Sequence, residues 1–284
     1  MYKRQELPRF DYLTAISRSG QPEAFISDIT DSLRTKDPEG RIKIAYDEWN
    51  LRAWQHPGFP RGKVANYEAP EVRKLVEKRR AQNDLADQYT MADALFTASF
   101  LNACLRHSDI VTMANIAPLV NTRGPLFVHP KGLVKRTHFH ALSMYSNLLQ
   151  PHVSTAQVES GQLEGTRVAA VDAIATVDDT GKQWSIALIN RHPSKAVRCT
   201  LDLKGMPLDG TFKATVLTGD SPDSYNDIQR PDRVVPQEIE LIIKKGITSL
   251  PPHSLTILDI SSEKWSLQKG SNHKPNKTDA GDGK

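Results

Sequence analysis

Ile44-Ala45-Tyr46-Asp47-Glu48-Trp49-Asn50 is the stretch that decides the fold of this 284-residue chain. Its first half is short, apolar and suited to a β-strand, and its second half delivers two carboxylates to the C-terminal end of that strand. Just upstream, Phe25, Ile26, Ile29 and Leu33 recur at helical spacing between Pro22 and Thr35. Pro22 suits a first helical position, and Asp37-Pro38-Glu39-Gly40 stops the pattern. A helix followed by a strand predicts an α/β unit. In a parallel barrel, the C-terminal ends of strands lie among the loops that build the active-site face, so Asp47 and Glu48 are candidate catalytic carboxylates. Strand alternation predicts that they point to opposite sides, leaving one to face a site. The competing reading is an ordinary acidic turn or helix cap. Trp49 and Asn50 add an aromatic plane and a hydrogen-bonding amide, a combination suited to a sugar.

Working outward, Leu51 to Gln88 is polar and turn-rich, with Pro57-Gly58-Phe59-Pro60 and a short helix predicted from Pro70. Thr90 and Asp93 then have the spacing of a capping box. Met91, Ala94, Leu95, Ala98, Leu101 and Leu105 continue as a buried helix. Ile110 to Ile116 is a second candidate strand. A loop through Arg123-Gly124-Pro125 leads to a helix from about Lys135 to Leu149, with Leu133 just before it and Thr137, Ala141, Met144 and Leu148 along one side. After Pro151 the pattern changes to short strands: 170–177, 184–190, 197–203, 211–217, 238–243 and 254–260, with a hairpin turn at Asp178-Asp179-Thr180-Gly181. Such spacing predicts an all-β sandwich or barrel. From about Ser262 to Lys284 the composition is that of a disordered tail.

The charge balance, 37 basic against 33 acidic residues, is small, and Lys78-Arg79-Arg80 and Lys135-Arg136 are only short clusters. No basic stripe or nucleic-acid motif accompanies them, so nucleic acid is not an expected partner. The longest nearly apolar stretch, 92–105, is interrupted by Asp93 and Asn102 and is too short to span a bilayer, so no membrane partner is expected either. Cys104 and Cys199 are far apart and read as buried free thiols. Cys104-x-x-His107 and His138-x-His140 lack the second half of a zinc pattern, and no metal is expected. No G-x-S-x-G elbow or phosphate-cradling glycine loop is present.

The heptapeptide at 44–50 resembles the strand-end motif of glycoside hydrolase family 51, in which the Glu of D-E-W-N is the nucleophile. The resemblance continues through Asp93-Ala94-Leu95, Leu105-Arg106-His107-Ser108-Asp109, the run Met113 to Asn121, Pro130-Lys131-Gly132 and Tyr145. It extends into the strands from 152 to 261, covering about residues 8 to 261. The implied fold is the C-terminal part of a (β/α)8 TIM barrel (residues 6–150) followed by an all-β, jelly-roll-like sandwich (151–261). The implied activity is that of a retaining, exo-acting α-L-arabinofuranosidase acting on arabinan, arabinoxylan or arabino-oligosaccharides, with Glu48 as nucleophile. Trp49 and Asn50 are the candidate sugar contacts of the motif, and Asn115 or Asn121 is the candidate for a further contact that the resemblance does not carry over. No cofactor is implied, and the full-length enzyme is expected to be a homo-oligomer.

Two departures shape the expectation. The family's acid/base Glu follows an Asn on an earlier strand, and no Asn-Glu pair occurs here. A full barrel takes about 250 residues, whereas about 150 precede the sandwich. A truncated chain, inactive and prone to aggregate by itself, is therefore expected. Residues 1–5, MYKRQ, correspond to DNA resembling a sequencing adapter and are expected to be extraneous. Pro118 stands where many relatives carry a sugar-contacting Gln. Localisation stays open between cytoplasm and secretion. The alternative reading, from a different class, is a non-catalytic carbohydrate-binding or structural module with a degenerate barrel remnant.

Overall fold

The computed structural model describes residues 11–51, 70, 74, 89–203 and 206–261. Most of the polar segment 51–88, the tail from 262 and residues 1–5 lie outside them, although Pro70 and Lys74 are helical. Two short helices open the described chain, α1 (Tyr12–Ser17) and α2 (Gln21–Lys36). Helix α2 carries Pro22 and Glu23 in its first turn and Arg34 and Lys36 in its last, charges that complement the helix dipole. Its buried ridge is Pro22, Ile26 and Thr30, with Leu33 packed beside it. Phe25, expected on that face, is 55% exposed, because the ridge that meets the core runs through the residue after it.

Strand β1 (Ile44–Trp49) pairs in parallel with β2 (Val111–Ile116), and the crossover passes through α3 (Met91–Arg106). The capping box forms as expected: the Thr90 amide donates to Asp93 Oδ2 at 2.8 Å, and the Thr90 side chain accepts from the first turn. Helix α3 is buried on nearly all sides, since α1, α2 and a later helix surround it and a sheet lies behind it. The segment after β2, expected to be a loop, contains a hairpin of β3 (Leu126–His129) and β4 (Gly132–Lys135). Strands of four residues are too short to show a period in sequence. Helix α4 (Thr137–Leu148) follows and packs on α3.

The remaining chain forms β5 (His152–Ser154), β6 (Val171–Val177), β7 (Gln183–Asn190), β8 (Val197–Thr200), β9 (Asp202–Leu203), β10 (Met206–Pro207), β11 (Gly210–Leu217), β12 (Gln237–Ile243), β13 (Ile247–Leu250) and β14 (Ser254–Ser261). A six-stranded antiparallel sheet runs β12-β11-β14-β7-β6-β5, and β13-β8 and β10-β9 form two-stranded sheets. The six expected strands are all present, with 197–203 broken in two, while β5, β10 and β13 are additions of two to four residues.

Alternation along the central strands produces two cores. Ala187 and Ile189 of β7 and Leu255 and Ile257 of β14 face the helices, joining Ala94, Leu95, Ala98, Ala141 and Met144. Trp184, Ile186 and Leu188, with Leu258 and Ile260, face the other way and pack with Leu201, Leu203, Leu208 and Leu250 beneath β8, β9 and β13. Burial on both faces puts adjacent residues into apolar surroundings, as in Ile186-Ala187-Leu188-Ile189 of β7 and Ile257-Leu258 of β14.

A buried polar network ties the helices to the sheet. Asp172 of β6 accepts from Arg106 Nη1 at 2.9 Å, Arg191 Nη2 at 3.0 Å and Asn102 Nδ2 at 3.2 Å. Arg106 also pairs with Glu23 of α2 at 2.8 Å, Arg191 donates to Ser99 Oγ at 2.9 Å, and the Tyr145 hydroxyl donates to Asn102 Oδ1 at 2.6 Å. Burial lowers the Arg191 pKa, and the Asp172 carboxylate opposes that shift.

Candidate active site

The β1–β2 pairing explains how the two carboxylates are presented. Tyr46 pairs with Ala114 and Trp49 with Ile116, so β1 takes three steps where β2 takes two, which is a bulge at Asp47 and Glu48. Tyr46 and Trp49 consequently lie on the same side, both against Phe100 of α3. The Tyr46 ring meets Phe100 edge-on with centroids 5.2 Å apart, and the Trp49 ring stacks on it at 4.1 Å. Asp47 and Glu48 between them are both exposed. Simple alternation, which separated them, does not hold because of the extra residue. Asn115, also exposed, occupies the β2 position between the two pairs and so lies beside the bulge.

Two predicted sugar contacts are engaged elsewhere. Trp49 is buried in the core rather than displayed with the carboxylates. Asn50 is half-buried, and its Nδ2 donates to Ala117 O at 3.3 Å and Arg123 O at 2.8 Å. Among the described residues, the Trp49 indole N–H and the Tyr46 hydroxyl are buried without hydrogen-bond partners, an arrangement costing about 1–3 kcal/mol for each such group. Burial, with a smaller effect from Cys104, pushes the Tyr46 hydroxyl up to about 12.

The loop after β2 is the second component of the site, and sequence reasoning did not find what holds it. Ala117 N donates to Trp49 O at 3.2 Å, which starts the loop against the carboxylate strand. Asn121 and Thr122 have φ of 52° and 41°. The left-handed region is unusual for a β-branched residue such as Thr122 and costs on the order of 1–3 kcal/mol. Gly124 is required by close approach, since a Cβ there would lie 2.4 Å from the Leu119 carbonyl carbon. The carbonyls of residues 122, 123 and 124 are all gripped by side chains. Thr122 O accepts from the Tyr89 hydroxyl and from Arg136 Nη1 (3.3 Å), Arg123 O from Asn50, and Gly124 O from Arg136 Nη1 (2.9 Å). His138 Nε2 also lies 3.2 Å from Arg123 O.

Arg136 is fully buried, its guanidinium 3.8 Å from the Tyr89 ring centroid and 4.9 Å from that of Phe127. Burial first, and the neighbouring Arg136 charge second, push the His138 pKa down to about 3. His140 is lowered to about 4, by burial and then Lys135. The histidine and cysteine motifs are thus taken up in packing: Cys104 is buried, and His107 Nε2 lies 2.6 Å from Glu23 Oε1. Among the described residues no three metal-ligating side chains are gathered, and no helix is long and apolar enough to cross a membrane.

The family profile described as "Alpha-L-arabinofuranosidase C-terminal domain" matches residues 47–254, almost three quarters of the chain. The chain belongs to this family. The match begins at Asp47, inside the strand-end motif, and ends at Ser254, the first residue of β14, so the arabinofuranosidase C-terminal domain takes in the bulge, the gripped loop and the strands from β5 to β13. Intracellular exo-alpha-(1->5)-L-arabinofuranosidase of Streptomyces lividans is 28% identical over 203 residues, 70% of this chain and 29% of the relative. The enzyme of the same description from Bifidobacterium longum is 27% identical, over 81% of this chain and 43% of its own length. The chain therefore spans less than half the length of these curated relatives. Among solved structures, the Thermotoga maritima alpha-L-arabinofuranosidase arabinose complex superposes with a TM-score of 0.68 at 20% identity, covering 88% of this chain and 50% of that one. The GH51 arabinofuranosidase of Xanthomonas axonopodis pv. citri gives 0.68 at 22%, covering 89% and 48%. These likenesses establish a shared fold, and the family resemblance carried by residues 44–50 and the segments after them is borne out.

Proposed function

We propose that this arabinofuranosidase C-terminal domain carries the nucleophile of a retaining, exo-acting α-L-arabinofuranosidase, with Glu48 as that nucleophile. The substrates are terminal α-L-arabinofuranosyl units of arabinan, arabinoxylan or arabino-oligosaccharides. The observation that carries the proposal is the bulge that exposes Glu48 at the C-terminal end of a parallel strand, backed by a Tyr46–Phe100–Trp49 aromatic stack that fixes its backbone. Parallel pairing of β1 and β2 through α3, with Ala45, Met113 and Asn115 exposed on the strands, supports reading residues 6–150 as the closing part of a (β/α)8 barrel. Residues 151–261 are the sandwich of that enzyme. The interior face of a barrel is where the sugar would sit, and the exposure of Asn115 beside the bulge supports reading it as a donor to a sugar hydroxyl.

In the proposed reaction a Glu48 oxygen attacks the anomeric carbon and the glycosidic C–O bond breaks. The electron pair leaves with the departing oxygen, which a second carboxylic acid protonates. Water, deprotonated by that same group, then cleaves the glycosyl ester and regenerates the Glu48 carboxylate. The second carboxyl needs a pKa raised enough to hold its proton at working pH. No residue of this chain is assigned that role, and no metal or organic cofactor enters the scheme.

A substrate with a good leaving group needs no acid for the first step, so a dinitrophenyl α-L-arabinofuranoside isolates the nucleophile. Lacking the second carboxyl, the chain is not expected to turn over, but a single release of dinitrophenolate, approaching one per folded chain, is expected from the unsubstituted sequence. Glu48→Gln abolishes it and Asp47→Asn retains it. No release, or release that survives Glu48→Gln, would sink the proposal and favour a non-catalytic carbohydrate-binding module.

A further inference from the structure

We propose that Arg136, clamped between the Tyr89 and Phe127 rings, is a positioning residue that fixes the loop 117–125 against the end of β1 and so sets the backbone around Glu48. The inference rests on the reading of Glu48 as nucleophile, but the clamp itself is a matter of geometry. A fully buried arginine is a costly choice, tolerated when its charge is engaged on several sides. Here the guanidinium donates to two loop carbonyls, Thr122 O and Gly124 O, while its faces meet two aromatic rings. Both hydrogen bonds leave from Nη1, and the flat guanidinium that stacks on the rings is a surface that lysine lacks.

What the clamp holds would not hold itself. Thr122 sits at positive φ, and its carbonyl is fixed from two sides, by Arg136 and by the Tyr89 hydroxyl. Between the two carbonyls held by Arg136 lies that of Arg123, which Asn50 grips from the residue two places after Glu48. The same Asn50 amide reaches Ala117 O, and Ala117 N returns a hydrogen bond to Trp49 O. Glu48 is thus followed directly by two residues, Trp49 and Asn50, that are both bonded to this loop. Arg136 touches no reacting atom in this arrangement and acts through Thr122, Arg123, Gly124 and Asn50. The strain at Thr122 and the inward turn of three successive carbonyls share one explanation: the loop conformation is imposed from the start of α4 and from Tyr89, which precedes the capping box of α3.

The test measures two things on the same full chain. Hydrogen exchange is followed at the amides of Asn121, Gly124 and Leu126, whose hydrogen bonds lie inside the loop, with Ile186 and Leu258 of the sheet as references. Burst release from the dinitrophenyl arabinofuranoside is followed as a function of its concentration. Arg136→Lys is expected to speed loop exchange by about tenfold or more, a loss on the scale of one or two hydrogen bonds, while the sheet references stay unchanged. The burst rate constant should fall up to about a hundredfold, as expected for a nucleophile displaced by a fraction of an ångström to an ångström, with little change in the half-saturating concentration. Tyr89→Phe, which keeps the ring and loses one bond to Thr122 O, should give the same pattern more weakly, and it guards against a lysine variant that fails to fold. In Arg136→Ala, added guanidinium should restore loop protection and burst rate together. Uniform acceleration of loop and sheet exchange, or a burst unaffected by a loosened loop, would overturn the proposal. Should the unsubstituted chain show no burst, the nucleophile reading fails by itself, and the exchange arm still decides whether Arg136 holds the loop.

Discussion

The antiparallel sheet and the parallel pair β1–β2 solve the same problem, burying a strand, with different completeness. In the sheet, β7 and β14 are covered on both faces, by the helices and by β8, β9 and β13. In the parallel pair one face rests on Phe100 and its neighbours, and the other presents Ala45, Asp47, Glu48, Met113 and Asn115 to solvent. Buried polar atoms follow the same division: among the described residues, Ser19, Tyr46, Trp49 and His138 on the helical side each leave one unpartnered, and Thr256 does so in the sheet. Stability thus resides in the sheet and its two cores, while the chemistry-bearing strand end is held in place by a few specific contacts.

The ties between the helices and the sheet converge on Asp172, and removing it is expected to have the largest effect. Asp172→Ala leaves the buried Arg191 without its carboxylate, a loss of about 3–5 kcal/mol for a broken buried pair. Chemical denaturation followed by near-ultraviolet and far-ultraviolet dichroism should show the single transition split in two, with the helical region unfolding first. A single transition shifted as a whole would mean that the two regions are not separately stable.

Ile257 and Leu258 sharpen the comparison because they are adjacent and point into different cores. Each substitution to Ala should cost about 2–5 kcal/mol. Ile257→Ala should also loosen the amides of α3 and α4 in hydrogen exchange, whereas Leu258→Ala should spare them.

Acidification should act on the helical side. His138, whose pKa is pushed down to about 3, is neutral when folded. In the unfolded chain it binds a proton below about 6.5, so its contribution is whole above that pH and is lost progressively towards about 3. Between pH 6.5 and 5 the loss from this group is roughly 2 kcal/mol, and His140 adds a loss of the same sign. Urea unfolding at the two pH values would measure it, and His138→Leu should flatten the dependence.

Much of this arrangement was legible in sequence where the signal was local and repeated. The Thr90–Asp93 capping box, α2 and α3, the Asp178–Gly181 turn and the five strands near 170–177, 184–190, 211–217, 238–243 and 254–260 follow from spacing and propensity. The β3–β4 hairpin and β13 escaped because four residues carry too little period. The carboxylates at 47 and 48 were legible as residues but not as geometry, since the bulge depends on pairing with a strand more than sixty residues away. The Arg136 clamp left no readable mark: in sequence Arg136 belongs to a short basic pair, and only the fold brings Tyr89, Phe127 and the carbonyls of 122 and 124 around it.

The central claim is that Glu48 forms a covalent bond to the sugar. Incubation of the chain with an arabinofuranosyl-configured epoxide, followed by peptide mass spectrometry, tests it most directly. One adduct is expected, located on Glu48, prevented by excess arabinose and absent from Glu48→Gln. An adduct on Asp47 or elsewhere, or none under conditions where the chain is folded, would contradict it.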